Sequence, residues 1–410
     1  MLPRELRYSR RGFLASAAAL TVGTGLSASS RVDPSSPNRP IAVLGTVYRP
    51  LSYLYHLAGR FLHGYPEAGQ LRCPSHRIRT LWVEQAPDND LSRQICRQFG
   101  IRRARSVAEA LMEDDRLAVS GVLIVAEHGH YPRNDLGQVL YPRGPIFRQV
   151  LEVYRRAGAT APVFIAKQLS HDFDEAIATC AAAQAAGLPL LAGAALKSAE
   201  WDPPWPNGDS EPIREIVIAG HGTLESFGFD ALEALQSIVE RRAGERVGVV
   251  AVRCLSGNEV WRAAESGQWS GGLLHAALAR GLSVNLGDVR DNVGAFAMPG
   301  MPATPPLAVL VEYASGTRAA VLVLNGHLQD VVGACRFENN STFAWRFGTS
   351  PPPGVHHFNR HVAEIDAFLA GTRANDDLRR ALLATGMIAR AMQSHAARGP
   401  RLATPELSAI

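Results

Sequence analysis

The sequence predicts an α/β protein in two parts: a parallel sheet flanked by helices, then an α+β domain on a largely antiparallel, open sheet. Three observations predict it. From residue 41 onward, short apolar runs of strand length alternate with stretches of helical periodicity, the pattern of βαβ units. The run Ile41-Ala42-Val43-Leu44-Gly45 is continuously apolar, as a strand buried on both faces has to be. Past the proline-rich junction Trp201-Asp202-Pro203-Pro204-Trp205-Pro206 the strands lengthen and follow one another with few helices between.

In chain order, the first strand covers 41–45 and the helical pattern of 51–62 follows it. A loop leads to Thr80-Leu81-Trp82-Val83-Glu84, a β-rich second strand over 80–84. Helices over 90–99 and 107–112 precede the apolar run 119–126, the next strand. The long loop 127–145 enters a helix over 146–157. A strand at 162–166, a helix at 173–186 and a strand at 188–192 complete the first part. In the second part, strands read as 215–219, 247–255, 307–313, 318–325 and 330–337. A helix at 229–242 sits among them, and a helical segment over 362–394 closes the chain.

A chain of 410 residues is long enough for two to three domains. It divides into an export signal (1–30), a linker (31–40), a first domain (41–198) and a second (199–410), with the last helical segment free to pack back on the first. Ser9-Arg10-Arg11-Gly12-Phe13-Leu14 before an alanine-rich apolar stretch is the pattern of a twin-arginine signal. It predicts a periplasmic or otherwise exported protein, with the twin-arginine machinery as a partner. A plain amphipathic helix is the alternative. The stretch is shorter than the ~20 residues of a transmembrane helix. Export in the folded state would let a cofactor be loaded beforehand.

A formal net charge of +4 is small for this length. Its one basic run, 97–105, has no interleaved aromatics beyond Phe99 and reads as a solvated helix end, so no nucleic-acid partner is expected. Five scattered cysteines without a C-x-x-C pair predict free thiols.

The first strand runs into Thr46-Val47-Tyr48-Arg49-Pro50. A turn that brings a dinucleotide's pyrophosphate to the backbone needs several glycines; only Gly45 is present, with Thr46 beside it. The bulky loop either excludes the dinucleotide or holds it differently, with Arg49 pairing to a phosphate. A surface salt bridge is the plain alternative for Arg49. Glu84 ends the second strand, where a carboxylate accepts from a ribose 2′-hydroxyl and favours NAD over NADP. A solvated strand-end glutamate is the alternative.

Glu127-His128-Gly129-His130-Tyr131 follows the strand 119–126, at the end where open α/β sheets bind ligands. Glu127, His128 and His130 therefore read as crevice residues that position a sugar or a nicotinamide. With no cysteine or third histidine in register, no metal is expected. The loop at Tyr141-Pro142-Arg143 is longer than a βα connection needs and reads as able to close over the site. Trp201 and Trp205 read as platforms for a sugar face or as wedges between domains. His356, His357 and His361 read as surface or interface residues.

Several local matches, in order, make the chain resemble the glucose–fructose oxidoreductase/inositol dehydrogenase (Gfo/Idh/MocA) family. They are Asp90-Leu91-Ser92-Arg93 through Gly100-Ile101, then Ser106-Val107-Ala108-Glu109-Ala110-Leu111, and Val122 through Pro132 in place of a strand entering T-P-N-x-x-H. Ala166-Lys167-Gln168-Leu169 stands at E-K-P-L, and Arg401-Leu402-Ala403-Thr404-Pro405 at the closing R-x-x-T-P. The resemblance implies a Rossmann-like first domain, NAD or NADP as cofactor, a carbohydrate substrate in the interdomain cleft, and oligomers through the second sheet. It also implies a catalytic Lys167, with Asp230 at the family's histidine position and Glu233 at its acid position. His221 stands close enough to supply the missing imidazole, and a loop histidine is its plain reading. Asp230 reads equally as a helix N-cap.

Three functions fit this reading. The leading one is an NAD(P)-dependent oxidoreductase acting on a sugar or sugar derivative, with Lys167 and His128, His130 or His221 handling protons. The second is a redox-neutral, NAD-dependent glycoside-cleaving enzyme. The third is a cofactor-free binding or scaffold protein that kept the fold.

Overall fold

In the computed structural model, residues 39–206, 211–243, 247–295, 303–350, 354–372 and 377–410 are described; the segment 1–30 expected to be an export signal, and most of the expected linker 31–40, lie outside them. The first sheet has six parallel strands. Their order is Leu190–Gly193, Val163–Ala166, Gly121–Val125, Arg39–Gly45, His76–Val83 and Arg102–Arg103. The apolar runs are strands because both faces are covered: Ala42 and Leu44 pack into one core, Ile41 and Val43 into another. The order reverses between Arg39–Gly45 and Gly121–Val125, a switch point of the kind at which α/β sheets open a crevice.

The second sheet has eight strands, ordered Trp201–Asp202, Thr342–Phe347, Val332–Phe337, Ile213–Gly220, Arg318–Val323, Leu307–Tyr313, Val249–Ser256 and Leu402–Ala403. Every neighbouring pair is antiparallel except Ile213–Gly220 with Arg318–Val323. Alternation divides its faces. Ile216 and Ile218 join the main core, and Val217 and Ala219 pack with Leu273 and Leu274 of the helix Gly271–Leu278 on the other side. That helix and Asn258–Glu265 had no counterpart in the sequence reading, nor did the strand Thr342–Phe347.

Several boundaries differ from expectation. The second strand starts at His76, leaving Glu84 just past its end. The helix expected at 146 starts at Arg143, so Arg143 opens the helix instead of sitting in the loop before it. The helix expected at 229 starts at Ser226, because the Thr223 hydroxyl already accepts from the Ser226 N–H at 3.1 Å. The last helical segment is two helices, His357–Leu369 and Asp377–Ala396. The first packs Phe358, Val362, Ile365 and Phe368 into the core of the first sheet. It is pinned there by Asp366, which accepts from His76 Nδ1 at 2.7 Å and from Ser75 N at 2.8 Å. His361, expected at the surface or an interface, is 1% exposed in that core. Trp201 stacks on Trp345 at 5.0 Å and Trp205 packs edge-on to both, in an aromatic cluster at the edge of the second sheet.

Candidate functional site

Lys167 follows the strand Val163–Ala166 with φ 63, and its N–H donates to the Gly193 carbonyl at 2.9 Å. This backbone bend sends the side chain toward the helix Ser226–Ala243. The ammonium lies 3.1 Å from Asp230 Oδ1, donates to Ser226 Oγ at 2.8 Å, and sits 5.7 Å above the Tyr53 ring. Because that helix begins three residues earlier than expected, Asp230 is inside it and is not its N-cap. Burial pushes the Asp230 carboxyl up to about 6, and the Lys167 charge restrains the rise. Burial works against the Lys167 ammonium, yet the Asp230 and Glu127 carboxylates outweigh it and hold its pKa above the ordinary lysine value. The pair is ionic at neutral pH, and Asp230 is the member that titrates nearest to it.

Asp230 and Ser226 form part of the lining of a cavity of about 470 Å³, the size of a small-molecule site. His221, Ser283, Asp330 and Thr349 add polar groups, and Leu196 and Phe227 add apolar ones. Burial lowers the pKa of His221, so its imidazole is neutral at pH 7. The lining is therefore acidic and neutral, and Lys167 stands behind Asp230 instead of facing the cavity. Glu233 does not line the cavity either. It is fully buried and accepts from the Ala194 N–H at 2.7 Å, locking the helix to the end of the last parallel strand.

The other predicted residues gather at the switch point. The Thr46 hydroxyl, fully buried, reaches the carbonyls of Glu127 at 2.8 Å and His128 at 3.0 Å. Glu127 is buried against Arg143, itself 1% exposed, and the Arg143 guanidinium stacks 5.1 Å over Tyr141. His128 turns its ring onto the N-terminus of the helix Tyr53–His63, where Nδ1 accepts from the Tyr53 N–H at 3.4 Å. Burial lowers its pKa, which suits that acceptor role. His130 is exposed, and it is its backbone that is engaged: its N–H donates to Gln85 at 2.8 Å and its carbonyl accepts from it at 3.1 Å. Tyr131 donates its phenol to Glu84. Arg49 is half-buried and makes no ion pair among the described residues.

So the structure brings Lys167, Asp230 and His221 to one region and stitches Thr46, Glu127 and His128 into another, while His130 and Glu84 lie at its exposed rim. Tyr53, Arg143 and Ser226 were missed as site residues. Only Ser226 carried a sequence signal, through Thr223 three residues before it. Among the described residues no group of three His, Cys, Asp or Glu side chains is arranged to hold a metal ion.

Solved structures share this fold over nearly the whole chain. GenD2 from gentamicin A biosynthesis, crystallised in complex with NAD, is 15% identical with a TM-score of 0.56, over 90% of this chain and 96% of its own. A putative myo-inositol dehydrogenase from Sinorhizobium meliloti is 11% identical with a TM-score of 0.53, covering 89% and 99%. A myo-inositol dehydrogenase from Corynebacterium glutamicum is 11% identical with a TM-score of 0.52, also covering 89% and 99%. The chain thus has the two-domain, Rossmann-like fold of such dehydrogenases. At these identities the likeness is one of fold. No protein-family model matches the sequence, and no curated protein matches it.

That fold implies a nicotinamide dinucleotide at the switch point, and the residues there do not fit one held in the usual way. Its pyrophosphate would need the free N–H groups of the helix Tyr53–His63. Tyr53 N–H is taken by His128, and Tyr55 N–H by Ser52 Oγ at 3.2 Å. Val47 and Tyr48, each 1% exposed, fill the turn. Gly45 serves packing, since a methyl group there would lie 2.4 Å from Leu54 Cδ2.

Proposed function

We propose that the cavity beside Asp230 binds a neutral, polyhydroxylated small molecule, a sugar or sugar derivative, and that the Asp230 carboxylate accepts a hydrogen bond from one of its hydroxyls. The observation that carries this reading is the Asp230 carboxylate in the lining of the 470 Å³ cavity, ion-paired to the buried Lys167. A carboxylate with a pKa near 6 is ionised at neutral pH, and an ionised acceptor holds a hydroxyl more strongly than a neutral one. Lys167 is a positioning residue: it orients Asp230 and restrains its pKa. His221, neutral and in the same lining, can exchange hydrogen bonds with a second hydroxyl. An anionic ligand is disfavoured because Asp230 and Asp330 are the charged groups in that lining. The twin-arginine pattern supports placing this activity outside the cytoplasm.

A dehydrogenase working with NAD or NADP is the second reading, favoured by the fold of the neighbours; it requires the stitched crevice to open. The test is a thermal-shift panel of neutral monosaccharides and inositols beside their phosphorylated counterparts. Stabilisation by a neutral member and by none of the phosphates is the expected result. No shift with any neutral member, or a shift with phosphates alone, contradicts the reading.

A further inference from the structure

We infer that the segment from Glu127 to Tyr131 is a built-in substitute for the dinucleotide, so that this chain works without one. The two polar groups a dinucleotide would engage are the N-terminus of the first helix and the carboxylate past the second strand. One five-residue stretch of the chain's own backbone and side chains satisfies both. His128 Nδ1 accepts from Tyr53 N–H, and the Tyr131 phenol donates to Glu84.

The same stretch is sewn to its surroundings at every turn. Thr46 donates between two of its carbonyls, and the Gln85 amide bonds both the N–H and the carbonyl of His130. Packing at Gly129 argues for a built joint rather than a lid laid loosely over a seat. A Cβ at Gly129, where φ is 105, would meet Tyr131 Cε2 at 2.8 Å, Gln85 Oε1 at 3.0 Å and Val47 Cγ2 at 3.1 Å. The far end of the loop is tied down as well. Val139 N–H donates to both oxygens of Glu225 at 3.1 and 3.0 Å, and Gln138 donates to the His171 carbonyl at 2.8 Å. A dinucleotide would have to break the Tyr53, Glu84, Gln85 and Thr46 contacts together, each of which already satisfies a polar group.

The inference goes beyond the proposed sugar site and is separable from it. The test uses the full chain as purified. Denaturing one sample in acid, which preserves NAD⁺ and NADP⁺, and a second in alkali, which preserves NADH and NADPH, followed by an enzymatic cycling assay, measures any nicotinamide dinucleotide carried along, and calorimetric titration with all four measures exchange. The expected result is no dinucleotide released and no saturable binding up to about 1 mM, the upper end of ordinary enzyme affinities. Near-stoichiometric release, or saturable binding in the micromolar range by any of the four, overturns it. Titration of the same sample with a neutral sugar keeps the two ideas apart. Dinucleotide binding alongside sugar binding sinks only this inference, and absence of sugar binding sinks only the proposed function.

Discussion

The Lys167 ammonium, projected from the end of a parallel strand in the first sheet, lies 3.1 Å from the carboxylate of Asp230 on the helix Ser226–Ala243. The contact joins the two halves of the molecule and leaves a tunable carboxylate in a cavity lining. That one pairing sets the chemistry available to the site.

The first prediction concerns pH. Asp230 acts ionised, so ligand affinity or turnover that depends on it rises with pH through about 6. For stability the sign is opposite. Its folded pKa lies above the ordinary aspartate value of about 3.9, so its contribution is complete below that value and is lost as pH rises through about 6. Urea unfolding of wild type and Asp230→Asn at pH 4 and pH 7 checks it: wild type loses stability relative to the variant on going to pH 7. A pH-independent difference contradicts the assignment.

Removing the partner should move that midpoint. In Lys167→Met the cation that restrains Asp230 is gone, and its pKa climbs further. The pH profile of ligand affinity then shifts upward relative to wild type. A profile that keeps its midpoint, with affinity merely scaled down, assigns Lys167 a purely structural role.

Two glycines are held by close approach. A methyl at Gly193, where φ is 140, would lie 2.1 Å from Glu233 Oε1, and one at Gly45 would lie 2.4 Å from Leu54 Cδ2. Gly193→Ala and Gly45→Ala should each cost about 1–3 kcal/mol or more by overpacking. Gly59→Ala is the control: it lies within the helix Tyr53–His63 with open space around it, and should gain about 0.5–1 kcal/mol. Equal effects from all three would remove the packing argument.

Asp366 pins the helix His357–Leu369 to the first sheet. Burial alone would raise its pKa, but hydrogen bonds from His76 and Ser75 outweigh burial and hold it below the usual carboxylate range. Its contribution is therefore present above the unfolded carboxylate pKa and lost as pH falls through the lower folded value. Asp366→Asn should destabilise the protein by about 1.5–3 kcal/mol at pH 7, the worth of hydrogen bonds to a charged group. The deficit should shrink in strong acid, as denaturant titration at pH 7 and pH 3 will read out.

The parallel sheet was legible because strands covered on both faces, such as Ile41 to Gly45, have no choice but to be apolar throughout. The Thr342–Phe347 strand was not, because Ala344 breaks the alternation of Phe343, Trp345 and Phe347 with polar residues and the run is short after the turn at Asn340. His361, expected at the surface or an interface, lies buried on the helix face marked by Phe358, Val362 and Ile365; polar neighbours at His356 and His357 mask the stripe. The cap alternative for Asp230 arises because the apolar pattern starts at Phe229, while the helix itself starts at Ser226, whose N–H the Thr223 hydroxyl accepts. The stitching of Thr46, His128 and Tyr131 depends on contacts between loops that are far apart in sequence, and no local pattern encodes it.

The central claim is that Asp230 meets a neutral polyhydroxylated ligand in the cavity. Calorimetric titration of wild type and Asp230→Asn with the neutral sugar or inositol that stabilises the protein tests it most directly. Loss of a hydrogen bond to a charged group, about 1.5–3 kcal/mol, predicts about 10- to 100-fold weaker binding by the variant, with its thermal unfolding still cooperative. Equal affinity in the two proteins would contradict the account.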